Sequence, residues 1–143
     1  FFFQEMPVSI FCNLEYHKKY GVDTNGTISI VFPHGKIALG IFGYSNSFQS
    51  NYELWGENTF LTVKRAFNIR KNQSTKISLI SDKQSKTFQI SNANQFTTML
   101  NDFCTTIKNN SKNVLFEKSL LNQALIMDCA RKSAKLQNVV KIN

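Results

Sequence analysis

The chain has 143 residues, with 17 Lys plus Arg against nine Asp plus Glu, a net charge of +8, and 42% hydrophobic and 13% aromatic content. Six Gly and two Pro exclude collagen-like and low-complexity sequence, and 13 Phe exclude an intrinsically disordered chain. The length fits a single domain over residues 1–143, and no run approaches the roughly 20 apolar residues that span a bilayer.

Phe1, Phe2 and Phe3 open the sequence with neither a basic segment nor a cleavage site beside them. Three consecutive Phe predict the end of a buried element cut from its continuation, so the chain reads as a fragment of a longer protein. From Pro7 to about Ile90 apolar and polar residues alternate with period two between turn clusters, which predicts strands. Val8 to Tyr16 is the first. Ile28, Ile30 and Phe32 then share one face and Ile37, Leu39 and Ile41 another, with Pro33-His34-Gly35 as the hairpin turn and Gly35 taking the positive φ. Further strands are expected at Asn51 to Trp55, Thr59 to Val63, Lys76 to Ser81 and Lys86 to Ser91, with Gly56-Glu57-Asn58 turning one pair.

The period then changes. Phe96, Met99, Leu100, Phe103, Cys104 and Ile107 form a helical stripe behind an Asn92 or Asn94 cap. After a polar link from Lys108 to Asn113, a second helix is expected around Leu120, Leu121, Ala124, Leu125, Cys129 and Leu136, with Arg131, Lys132 and Lys135 near its C-terminal end. Strands first and helices last argue an α+β fold: a mostly antiparallel open sheet with two C-terminal helices packed on one face. The other face, expected to carry Val31, Ala38, Phe42 and Val63 among Ser and Thr, is left available for dimerisation.

Motifs for chemistry are mostly absent. No GxGxxG or GxxxxGKS run cradles a phosphate, so this chain alone is expected to bind no dinucleotide. His17 and His34 are the only imidazoles, and neither has zinc-ligand spacing. No GxSxG elbow occurs, and the acidic residues are scattered. Cys12, Cys104 and Cys129 lie in apolar periodic stretches, which predicts reduced core thiols and a cytoplasmic compartment, and leaves the sequons at Asn25, Asn72 and Asn109 as chance products of an Asn-rich chain. The basic excess raises nucleic-acid binding, but the charges are mostly Lys and spread along the chain, which fits a solvated surface at least as well. Candidate binding residues are Tyr16, Lys18 and Lys19 after the first strand, and Arg65, Phe67 and Arg70 around a later strand end. They combine rings that pack on a sugar face with cations for hydroxyls or phosphates. Asp23 reads as a turn former.

Three stretches carry a resemblance: Gly21-Val22-Asp23-Thr24 leading into Ile28 to Lys36; Asn51-Tyr52-Glu53-Leu54-Trp55-Gly56 followed by Phe60 to Phe67; and Asn94-Gln95-Phe96 with Asp102-Phe103. In this order and spacing, from Pro7 to about Ala134, the chain resembles the C-terminal domain of the glucose-fructose oxidoreductase, inositol dehydrogenase and rhizopine-catabolism (Gfo/Idh/MocA) family. The resemblance implies a parent enzyme whose N-terminal Rossmann domain, absent from this chain, holds NAD or NADP and the catalytic residues. This part would supply the substrate side and the subunit contacts of a homodimer or tetramer. The implied reaction is hydride transfer to or from a hydroxyl or keto carbon of a sugar, cyclitol or nucleotide-linked sugar, and the chain alone is expected to be inactive. Two other readings stand beside it, a stand-alone α+β binding or oligomerisation module and a basic nucleic-acid-binding domain. An upstream GxGxxG would separate the first from the others.

Overall fold

The computed structural model describes residues 2–67, 69, 73–91, 93–109 and 113–142. The strands and helices fall where the alternation and the helical stripes put them, in an α+β arrangement of two antiparallel four-stranded sheets and two helices. The strands do not form the single expected sheet. They divide between two compact units, one of Phe1–Asn46 with Asn110–Asn143 and one of Ser47–Asn109.

The first unit contains β1 (Ser9–Tyr16), β2 (Asp23–Val31), β3 (Ile37–Gly43), the helix α2 (Asn113–Leu136) and the short β8 (Val140–Lys141), with strand order β3-β2-β1-β8. Cross-strand pairing sorts the side chains. Ile10, Ile30 and Ala38 form one row, Cys12, Ile28 and Gly40 the next, and Leu14, Gly26 and Phe42 the third. This face meets α2: Ile10, Cys12, Ala130 and Ala134 form the buried cluster, with Leu14, Ile28, Ile30, Ile126, Cys129 and Ile142 packed around it. Gly26 has a steric reason to be glycine, because a Cβ there would lie 2.5 Å from the Phe42 ring and 2.7 Å from Leu14.

The expectation that Ala38 and Phe42 occupy the open face is therefore corrected. They share the helix-covered rows, and the open face carries Val31 with Ile37, Leu39, Ile41 and Phe11. The contact stripe of α2 also differs from the expected one. Leu120, Leu121 and Leu136 are exposed, whereas Ala130, Ser133 and Ala134 are buried. A helix lying close above a strand has room for a methyl or hydroxyl and not for a leucine, so residue volume sets the facing stripe.

Ser133 carries the seam between helix and sheet. β8 pairs with β1 only at Ser9 and Ile10, so the outer edge of β1 lacks a strand partner at Cys12. There the Cys12 N–H donates to Ser133 Oγ at 2.9 Å, and the Ser133 hydroxyl donates to the Asn138 carbonyl at 2.6 Å. A fully buried side chain thus satisfies two backbone groups that lie outside any ladder. The chain reverses after α2 at Gln137, whose φ of +51° is left-handed and whose side-chain Nε2 donates to the Ala134 carbonyl at 2.6 Å.

The second unit contains β4 (Tyr52–Trp55), β5 (Thr59–Lys64), β6 (Thr75–Ser81) and β7 (Ser85–Ile90) in consecutive antiparallel order, followed by α1 (Gln95–Lys108). Val63, expected on an open face, is 4% exposed and shares its face with Leu61, Ile77 and Leu79. α1 starts at the Asn94 cap, whose side chain accepts from the Phe96 and Thr97 N–H groups. Its apolar stripe of Phe96, Met99, Leu100, Phe103 and Ile107 is exposed and the helix has no buried residue, so the packing of both helices on a sheet face is seen for α2 and not for α1. Cys104 on this stripe is likewise exposed, which corrects its reading as a core thiol, while Cys12 is buried and Cys129 half-buried.

Replacing Ser133 with Ala leaves the buried Cys12 N–H without a partner and removes the hydroxyl donor to the Asn138 carbonyl. Ser133→Ala is expected to destabilise the chain by about 1–3 kcal/mol. Urea denaturation checks this as a lower midpoint at unchanged m value.

Candidate functional site

The expected binding residues divide between the two units, Tyr16, Lys18 and Lys19 in the first and Arg65 and Phe67 in the second. Arg70 lies outside the described residues.

In the first unit these residues lie at the connection between β1 and β2. A register shift between Glu15 and Tyr16 ends the regular ladder, and backbone bonds from His17 N–H to the Val22 carbonyl and from Gly21 N–H to the His17 carbonyl close the loop. Gly21 supplies a φ of +64°. Within the loop the His17 and Tyr20 rings stack at 4.8 Å, the Lys19 ammonium lies 5.2 Å from the Tyr20 centroid, and His17 Nδ1 accepts from the Lys19 N–H at 3.2 Å. Tyr16 is half exposed, and Lys18 and Lys19 are exposed. Asp23, expected in a turn, is instead the first residue of β2 opposite Tyr16. The loop is a cationic, aromatic tip held by its own backbone.

In the second unit the site is a corner at the end of β5. Lys64 is the last ladder residue, and its carbonyl accepts from the Thr75 hydroxyl at 2.5 Å. Arg65 then turns the chain with a φ of +60°, a left-handed conformation that costs a residue with a Cβ about 1–2 kcal/mol. The Ala66 and Phe67 N–H groups donate to the Ser50 carbonyl and hydroxyl at 2.5 and 3.1 Å, so the segment after Arg65 is tied to the strand leading into β4. The Arg65 guanidinium donates to Gln73 Oε1 at 3.1 Å and lies 5.5 Å from the Phe48 centroid. The Phe67 ring is 5.9 Å from that of Tyr52 and exposed. Arg65 is thus set beside Phe48, and Phe67 beside Tyr52, two rings that the sequence reading did not choose as binding residues. A guanidinium beside a π face can hold an anion next to a planar or ring-shaped group.

At the other end of this sheet, Trp55, Phe60 and Ile80 form a cross-strand row beside the Gly56-Glu57-Asn58 turn. A cavity of about 580 Å3 opens there, lined also by Glu53, Thr59, Ser81 and Asp82. Sequence reading used this stretch for strands, a turn and the family resemblance but not for a cavity, because concavity depends on three strands being side by side.

Burial pushes the Cys12 thiol above its ordinary 9.0, and the Asp23 carboxylate adds to the rise, so the reactive thiolate is suppressed. Among the described residues no group of three His, Cys, Asp or Glu side chains is placed to hold a metal, and no helix is long and apolar enough to cross a membrane. Gly21, Gly26, Gly35, Gly40, Gly43 and Gly56 are set singly in strands and turns, and α1 opens on Asn94 rather than on a glycine loop. These residues do not fit a dinucleotide pyrophosphate.

No family model matches the sequence, and no curated protein matches it. Solved structures do match in fold. KijD10, a 3-ketoreductase from Actinomadura kijaniata in complex with TDP-benzene and NADP, superposes in its open conformation with a TM-score of 0.78 at 19% identity, covering 85% of this chain and 39% of the ketoreductase. A structure of the same enzyme in complex with NADP gives the same TM-score of 0.78 and 19% identity, over 85% of this chain and 39% of that one. The Bacillus subtilis protein yvaA, assigned as an oxidoreductase, gives 0.68 at 13% identity over 96% and 46%. The chain has the fold of one part of these proteins and spans less than half their length.

The left-handed backbone at Arg65 can be tested apart from its side chain. Arg65→Gly and Arg65→Ala lose the same guanidinium contacts, but only glycine adopts this φ without strain. Arg65→Gly is expected to be the more stable of the two by about 1 kcal/mol, read from paired chemical-denaturation curves.

Proposed function

We propose that the chain is the substrate-side and oligomerisation domain of an NAD(P)-dependent oxidoreductase of the Gfo/Idh/MocA type, acting on a hydroxyl or keto group of a sugar, cyclitol or nucleotide-linked sugar. The observation that carries this reading is the fold shared, over 85% of the chain, with under half of a ketoreductase whose structure contains NADP. A Rossmann domain preceding this chain would hold the nicotinamide nucleotide, which supplies the hydride. The residues of this chain bind and orient. Hydride transfer needs the carbinol carbon fixed near contact distance, so a domain that binds substrate contributes by position. Arg65 and Phe67 are proposed as substrate contacts, as is Arg70, which lies outside the described residues; Tyr16, Lys18 and Lys19 in the first unit are a separate proposed contact set. The Arg65 guanidinium beside the Phe48 ring suits a ligand with both a phosphate and a flat or ring-shaped body, as a nucleotide-linked sugar has.

This assignment separates two measurements. Calorimetry of the chain with NADP is expected to give no binding heat, whereas the full-length enzyme binds it. In the full-length enzyme, Arg65→Ala is expected to raise KM for a nucleotide-linked sugar at least tenfold, about 1.4 kcal/mol, with the NADP Kd unchanged. An unchanged KM removes Arg65 from the site.

The open face of the first sheet supports the proposed homo-oligomer. Leu39 is 79% and Ile41 83% exposed, and Thr27 and Ser29 lie beside them on the same face. Its central rows carry no charge, Glu15 and Lys141 standing at opposite ends. In a chain of net charge +8 a neutral surface is the one over which copies approach with least repulsion, and a two-fold pairing with its axis across the strands sets each Glu15 end toward a Lys141 end. Sedimentation at micromolar concentration is expected to give a dimer that Leu39→Glu with Ile41→Glu converts to monomer. A monomeric wild type would refute the interface.

A further inference from the structure

We infer that the Trp55 cavity binds a pyranose ring that bears no anionic group. The cavity lies at the start of β5, and the Arg65 corner follows the end of that strand. Its apolar wall is the Trp55, Phe60 and Ile80 row, and Trp55 is 82% exposed, so its indole face is open to a ligand. The ring is also oriented: its Nε1–H donates to Glu53 Oε2 at 2.9 Å, which fixes the indole by its polar edge and leaves the π face free. A pyranose has an apolar face of axial C–H groups and a rim of hydroxyl donors. The C–H face matches the indole. The rim matches the acceptors around it, Glu53, Glu57, Asp82, Asn58 and Ser81.

The lining also sets the charge of the ligand. No Lys or Arg lines the cavity, and none of its three carboxylates takes part in an ion pair among the described residues. In a chain with 17 cations this is a local excess of negative charge that repels a phosphate or carboxylate. A neutral sugar and an amino sugar present the same ring, and the experiment distinguishes them. The inference does not depend on the oxidoreductase proposal, and its readout needs no turnover.

Trp55 is the single tryptophan of the chain, so emission excited selectively in tryptophan, apart from the four Tyr, reports this site alone. Titration with glucose and with glucosamine is expected to change the emission saturably, at a Kd on the order of millimolar, with glucose 6-phosphate at least tenfold weaker. A stronger response to glucosamine that Asp82→Asn reduces to the glucose level assigns the ammonium to the carboxylates, and equal responses assign recognition to the ring alone. Trp55→Ala, read by calorimetry with its circular dichroism spectrum compared with wild type, is expected to lose binding of both sugars. No saturable change with either sugar up to roughly 100 mM overturns the inference, as does a response to glucose 6-phosphate equal to that of glucose. Undiminished binding by Trp55→Ala also overturns it.

Discussion

The first unit depends on one hydroxyl. Ser133 accepts from Cys12 and donates to Asn138, joining the penultimate element of the chain to its first strand across 121 positions of sequence. The geometry explains the residues around it. Because β8 is only two residues long, the edge of β1 runs out of ladder partners at Cys12, and a helix must come close enough to supply one. Close approach excludes large side chains from the facing stripe, which is why Ala130 and Ala134 flank Ser133 while Leu120, Leu121 and Leu136 of α2 face outward. It also desolvates Cys12 and raises its thiol pKa, so a residue that could have been a nucleophile is a core packing group.

Much of the fold was legible in the sequence, and for identifiable reasons. Period-two alternation located β1 to β7, because a strand with one face in an apolar environment repeats every second residue. The Phe96 to Ile107 stripe and the Asn94 cap located α1, since capping chemistry is local. What alternation does not encode is which of two faces a helix covers. Ala38 and Phe42 were therefore expected on the wrong side, and Leu120 and Leu121 were expected in a contact that small residues make. The division into two sheets was equally hidden, since it turns on which strands lie beside one another. β8 is too short to show a period at all.

The candidate site was legible as residue types and not as geometry. Tyr16, Lys18, Lys19, Arg65 and Phe67 were chosen on residue chemistry at strand ends, and the structure sets Arg65 beside Phe48 and Gln73, and Phe67 beside Tyr52. The left-handed backbone there had no sequence signal, because an Arg at positive φ looks like any other Arg. The Trp55 cavity was missed for a different reason: its wall is assembled from Trp55, Phe60 and Ile80 on three strands, and only register brings them into one row.

The way the two units share the chain bears on how the protein is made. Residues 47–109 form a continuous unit interrupting another whose halves come from both sides of it. During translation the inner unit can complete itself while the outer one waits: β1 to β3 emerge before it, but the serine that closes their exposed edge follows Cys12 by 121 residues. Until then Ile10 and Cys12 are uncovered on a nascent polypeptide, a natural target for a holding chaperone. An amino-acid change that slows synthesis or loosens the interrupting unit would lengthen that window without touching any contact of the finished fold.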